Sequence, residues 1–407
     1  MLFTSKKVDI TPKKPLPLMG NKNSISKVRN IENNLEANIV LFENKNQMVI
    51  LVSVDTLYIG ETLEKRLRER FAKKNSNIFL ISTHTHSAPS LENKFPKIGM
   101  HSDEYIDFVA NKISAGINEC IVLEKSNFEF FFSATKCEES IYRRKKTLYF
   151  QNKFPFYKYG LVSFPNQKVK IPNNIQFVMI KDLEGKPLSI IWCWPCHPVA
   201  FYKNSVSPDF PGEIRNLFRK KFHNIPILYF PGFAGDIRPN FQEKNILKNF
   251  IKFPLSVRSF RKSRYDDYVR LNEKLFSSIE MSYKNLKKIK KKSSFEVRNS
   301  KFPLNEIFSK DSDESINLDY LNLFGLKFLF LNGEVCSPYY KILGIDQNSP
   351  FFASGYSSNI FGYLPSEKQI VNGGYEVDGF KSWAELEGKF TNDLEEVIKR
   401  RLDCLIK

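Results

Sequence analysis

The chain has no run of the roughly 18–20 apolar residues that a helix needs to cross a bilayer. Its longest uncharged stretch, Pro187 to Tyr202, holds two further prolines and a histidine, and reads as a core strand entering a polar loop. The opening Met1–Ile10 lacks the apolar h-region of a signal peptide. A soluble, cytoplasmic protein is the expectation. The six cysteines follow no disulfide-framework spacing and are expected to be reduced thiols. Internal repeats and Pro/Ser/Gly-rich linkers are also missing. Length alone allows roughly two to three domains, yet a single domain over 1–407 is expected, with 240–300 as a basic, helical insertion.

Acidic residues are comparatively scarce, 44 Asp+Glu against 62 Lys+Arg, for a net charge of +18. With 42% hydrophobic and 26% charged residues the chain is globular in composition, which excludes wholesale disorder. The lysines are spread along the chain, so nucleic acid is not the expected partner. One dense run, Lys284 to Lys292, reads as the solvated end of a helix. Peripheral contact with an anionic membrane, or an anionic substrate, is compatible with the charge.

Apolar runs at Asn38–Phe42, Met48–Val54, Ile78–Ile81, Phe128–Phe132, Ile175–Ile180, Leu188–Cys193, Ile227–Phe230 and Phe328–Leu331 predict strands. The first two flank a polar turn and predict a hairpin. Amphipathic patterns predict helices over Glu61–Lys73, Asp103–Leu123, Gly212–Phe222, Arg264–Lys288 and Ala384–Leu402. The fold class expected is α/β, a mixed β-sheet core with packed helices.

Histidine is rare too, with five in all, yet two of them stand in Thr83-His84-Thr85-His86-Ser87-Ala88-Pro89 at the end of a predicted strand. Strand alternation would send both imidazoles to one face, the pattern of a metal site or a catalytic base. Other strand-to-loop junctions expose polar groups: Cys193-Trp194-Pro195-Cys196-His197-Pro198, Gly235-Asp236-Ile237-Arg238-Pro239-Asn240, and Gly333-Glu334. Ligands of open α/β sheets bind at carboxyl strand ends, so these positions could meet there. Asp55, closing a strand, is placed either behind a ligand histidine or as a strand-end or helix-capping carboxylate. The CxxCH match at Cys193–His197 is a poor haem site without export, and a CxPC redox pair normally opens a helix rather than closing a strand.

Together these segments resemble the neutral/alkaline (non-lysosomal) ceramidase family. Val8-Asp9-Ile10-Thr11-Pro12 with Met19-Gly20 matches its opening, and residues 83–89 match its THTHSGP. Cys196-His197-Pro198 matches NxHP, and Ser207-Pro208-Asp209-Phe210-Pro211-Gly212 a following SxDxxG. Gly235–Asn240 matches GDVSPN, Gly333-Glu334 its GE, and Gly362-Tyr363 with Tyr375-Glu376 its GYV…YEG pair. The resemblance implies a zinc site on His84, His197, Glu334 and Tyr363, with His86 as proton shuttle and Tyr375 beside it. The family's arginine falls on Tyr142-Arg143-Arg144, where Arg143 is the choice and Arg144 the alternative. Two imidazoles, a carboxylate and a phenol suit Zn2+.

Arg238 stands where the family has a serine, and a permanently protonated guanidinium cannot be a nucleophile. It could stabilise an oxyanion or grip a carboxylate or phosphate. No C-terminal accessory domain is expected. These features lead to the expectation of a zinc-dependent hydrolase that cleaves an amide (N-acyl) bond. Its expected substrate is a small molecule more polar than ceramide, such as an N-acylated lipid or amino sugar. An esterase or deacetylase on a polysaccharide or lipid precursor, and an inactive metal- or polyanion-binding homologue, are the rival readings.

Overall fold

Runs of β-branched and aromatic residues that are apolar on both faces form strands buried on both sides. The computed structural model describes residues 2–20, 28, 30–45, 47–72, 75–152, 154–222, 224–244, 258–290, 295–310 and 313–406. Its core is built from three sheets. The first is ordered Leu2–Asp9, Glu36–Asn44, Gln47–Val54, Ser76–Ser82, and its last pair is parallel. The second is ordered Ile227–Pro231, Pro187–Trp194, Asn174–Lys181, Glu129–Lys136, Lys287–Lys288, and its first pair is parallel. The third is ordered Phe295–Pro303, Ser315–Leu323, Leu326–Leu331, Phe351–Ser354, again with one parallel pair. The mixed α/β architecture is the expected one.

Side chains from all three sheets share one aromatic core, including Phe42, Phe79, Phe130, Phe230, Phe328 and Phe330. Each fully buried Phe contributes roughly 1.5–3 kcal/mol. Helices close the outer faces. Glu61–Phe71 and Asp103–Val122 cover the first sheet, Asp209–Phe222 and Tyr265–Lys284 the second, and Leu394–Ile406 packs on the third. No helix among the described residues is long and apolar enough to cross a membrane. All six cysteines are free thiols.

Several element expectations need correction. The helix predicted to Lys288 stops at Lys284, and Lys287–Lys288 instead form an edge strand against Phe131–Phe132. Ile289, inside the lysine run, donates its N–H to Phe130 O at 2.8 Å and packs on the shared core, which pulls the run onto the sheet. Lysines on an edge also discourage further strand pairing. Lys291 and Lys292 lie outside the described residues. The helix predicted over Ala384–Leu402 is broken, because Glu385 turns left-handed at φ 55° and Gly388 follows at φ 118°; the helix resumes at Leu394.

Asp55 does not support a histidine. It accepts two bonds from Arg215, Nη2 at 2.7 Å and Nη1 at 3.3 Å, and one from the Glu36 N–H at 2.8 Å. Arg219, one turn further, forks onto Glu36 at 2.6 and 2.8 Å. These four charges tie helix Asp209–Phe222 to the first sheet. Arg215→Ala leaves Asp55 buried and uncompensated, and should lower the unfolding free energy in a urea titration by about 3–5 kcal/mol. Burial opposes the charge of Glu36, but Arg215 and Arg219 outweigh it and hold the carboxyl down at about 2. Its stabilisation is therefore complete above its ordinary 4.5 and is lost as pH falls toward about 2. Glu36→Gln should remove about 3 kcal/mol of that acid sensitivity, read from denaturation curves across the window.

Candidate functional site

Each sheet delivers polar residues just past the carboxyl ends of its parallel pair. The first contributes Tyr58 after Gln47–Val54, and His84 and His86 after Ser76–Ser82. The second contributes His197 after Pro187–Trp194, and Asp236 and Arg238 after Ile227–Pro231. The third contributes Glu334 after Leu326–Leu331 and Tyr356 after Phe351–Ser354. Glu334 then pairs in parallel register with Tyr363. Strand alternation is not what brings the two histidines together. His84 lies beyond the strand in the left-handed region, φ 62°, and its ring meets His86 edge-on at 5.1 Å.

Every imidazole here is held through Nδ1 by a backbone carbonyl. His84 Nδ1 is 3.2 Å from Leu57 O, and His86 Nδ1 is 3.3 Å from Gly20 O. His197 Nδ1 is 2.7 Å from Ala234 O and 3.0 Å from Ile237 O. Carbonyls only accept, so Nδ1 carries the proton and Nε2 presents its lone pair inward. Burial, with His84 beside it, pushes His86 well below its ordinary value. Burial, with Arg143 nearby, brings His197 down to about 4. Both rings are neutral at physiological pH.

The three rings place a ligand atom each within 4.8 Å of one another. Glu334 Oε2 lies 2.9 Å from His197 Nε2 and 3.6 Å from His84 Nε2. The Nε2 atoms of His84 and His86 are buried without a hydrogen-bond partner among the described residues. A carboxylate facing inward lone pairs is an arrangement of acceptors with no donor between them, and a cation is what such a set accommodates. The residues therefore fit a divalent metal of zinc type.

Around this centre, Tyr58 donates its hydroxyl to Glu334 Oε1, and Tyr363 stands beside Glu334 in the parallel strand pair. Arg143 donates from Nη2 to the Tyr363 hydroxyl at 3.1 Å and from Nε to Glu376 Oε1 at 2.8 Å. Its guanidinium lies 5.7 Å from the ring centres of both Tyr363 and Tyr375. Arg144 is turned elsewhere, bonding Glu376 and the carbonyls of Gln369 and Gly373, so it braces the wall and does not enter it. Tyr375 sits at the rim, 46% exposed, and accepts from Trp383 Nε1 at 2.9 Å. Arg238 packs over the Phe260 ring at 4.5 Å, and its Nε is buried without a partner among the described residues. Burial, then repulsion from Arg143, brings it down to about 10, so it stays protonated at neutral pH.

Asp236 ties three loops together, accepting from Ser337 N at 2.8 Å, Ser337 Oγ at 3.1 Å and Gln369 Nε2 at 2.7 Å. Gly235 allows this approach, since a Cβ there would lie 2.5 Å from Glu334 O. Gly20 is equally constrained: at φ 89°, a Cβ would lie 2.6 Å from His86 Nδ1. The sequence reading missed Tyr58 and Tyr356, whose ring is 4.3 Å from His84. The strand-end rule that found the histidines reaches both. Burial raises the Cys193 thiol to about 12 and the Cys196 thiol well above its ordinary value, which leaves neither as a redox centre.

Tyr58→Phe removes the donor that orients Glu334 and should weaken metal affinity about 10–100-fold in competition with a chromophoric chelator. An unchanged affinity would mean that the tyrosine does not position the carboxylate.

No family model matches the sequence. Among solved structures, the neutral ceramidase from Pseudomonas aeruginosa superposes with a TM-score of 0.73 at 12% identity, over 98% of this chain and 72% of that one. A ceramidase complexed with C2 gives a TM-score of 0.72 at 11% identity, over 98% and 73%. The chain has a neutral-ceramidase-like fold.

Proposed function

We propose that the protein is a metal-dependent hydrolase of an amide (N-acyl) bond, with His84, His197, Glu334 and Tyr363 holding the cation, zinc in the simplest case. One observation carries this reading: inward-facing imidazole nitrogens of His84, His86 and His197 converge beside the Glu334 carboxylate, and those of His84 and His86 have no hydrogen-bond partner among the described residues. The ceramidase-like fold supports the choice of bond. A zinc-type ion supplies Lewis acidity at a scissile carbonyl and makes water acidic enough to ionise near pH 7. The chain's own residues do the rest. His86 Nε2, neutral and unpartnered, accepts a proton and returns it to the leaving nitrogen. Arg143 steadies the Tyr363 hydroxyl and stands, with Tyr375, where negative charge develops on the carbonyl oxygen.

Arg238 removes the serine chemistry of the related motif and puts a second guanidinium in the wall without a carboxylate beside it among the described residues. We infer a substrate bearing a carboxylate, phosphate or comparable polar group near the scissile amide. His84→Ala should abolish both metal binding, by elemental analysis, and amidase activity; full activity in that variant overturns the site. His86→Ala should keep the metal and lose activity by about 100-fold or more, and loss of metal would make His86 a ligand instead. Arg238→Ser should shift preference from anionic N-acyl substrates toward N-acyl sphingoid lipids. An unchanged substrate range would remove Arg238 from substrate selection.

A further inference from the structure

Among the described residues, the two-stranded hairpin formed by Arg144–Phe150 and Tyr157–Ser163 belongs to no larger sheet. Its turn carries an aromatic cap. Phe154 is 86% exposed and Phe156 55%, with Tyr157 and Tyr159 also exposed. The rings form a contiguous patch, Phe150 on Phe156 at 6.2 Å, Phe154 on Phe156 at 6.2 Å, and Phe150 on Tyr157 at 5.6 Å. Val371, 88% exposed, lines the same flank of the hairpin as Lys158 and Tyr159. A soluble surface rarely leaves such a patch contiguous unless it meets something apolar.

Charge says what that is. From Ser140 to Lys181 the chain has nine Lys or Arg and no Asp or Glu. Lys146, Lys158, Lys168 and Lys170 are exposed. Aromatic rings at a tip with lysines behind them match the boundary of an anionic bilayer. Rings settle at headgroup depth there, and cations gain from the negative surface. A second copy would bring like charges together. A single-stranded nucleic acid needs ring faces free for stacking, whereas these rings pack on one another.

The base of the hairpin adjoins the candidate site. Arg144 follows Arg143, and Leu161 packs so closely on Gly374, next to rim residue Tyr375, that a Cβ there would approach within 2.4 Å. We propose that this hairpin is a membrane-docking element that inserts its aromatic tip into the interface of an anionic lipid bilayer. The proposal does not rest on the hydrolase reading.

The test is flotation of the full chain with phosphatidylcholine vesicles, with and without about a third phosphatidylglycerol. The wild type should float with the anionic vesicles, less so as salt rises. The double variant Phe154→Ser/Phe156→Ser should partition about ten-fold less or weaker still, with an unchanged melting temperature because both side chains are exposed. Failure of the wild type to bind, or equal binding by the variant, overturns the proposal. So does retention of single-stranded RNA, or self-association, that depends on these phenylalanines while vesicles are ignored.

Discussion

Backbone carbonyls decide the chemistry of this centre. By accepting from Nδ1 of His84, His86 and His197, the carbonyls of Leu57, Gly20, Ala234 and Ile237 commit the opposite nitrogens to face inward as lone pairs. Glu334 adds a carboxylate to the same space. Left to themselves these groups repel, and burial removes the water that would separate them. The arrangement is at ease only around positive charge. Tyr58 and Arg143 then act at one remove, Tyr58 holding the Glu334 carboxylate and Arg143 the Tyr363 phenol.

Precision of that kind needs rigid supports, and the three sheets provide them. Each has one parallel strand pair, and the carboxyl ends of those pairs all supply site residues. Loops only a few residues long separate strand from site residue, so the aromatic core shared by the sheets limits how far any of these side chains can drift. Asp236 reinforces this from behind by joining the loops at 236, 337 and 369. Asp55 does analogous work further off, locking helix Asp209–Phe222 to the first sheet through Arg215. Its place at a strand end resembles that of a site residue, but what it faces is an arginine on a helix distant in sequence.

Much of the centre was legible because strand ends followed by His, Gly-Asp or Gly-Glu have a recognisable grammar, and the order of those motifs supplied the grouping. The sheet core was legible because continuous apolar runs leave few alternatives. What escaped depends on facts that local pattern does not contain. His84 converges on His86 through a left-handed φ, not through alternation. Arg143 and Arg144 differ only in which way the chain faces, and that is set by pairing of Ser140–Tyr142 with Ile237–Pro239. The lysine run became an edge strand because one isoleucine within it found the core. Tyr58 was overlooked because a tyrosine past a strand end looks like ordinary packing until its carboxylate partner is in view.

Arg238 gives the site its individuality. A serine in that position would be neutral and small, whereas the guanidinium adds a permanent charge near Arg143 with nothing acidic to balance it among the described residues. Burial and mutual repulsion make that surplus costly, and Phe260 relieves it only in part through its ring face. A cation kept in such a position is most stable when an anion shares the space. Glu334 is not that anion, since Tyr58 donates to one of its oxygens and the other faces His84 and His197. On the function proposed above, the balancing charge would come from an anionic group of the substrate.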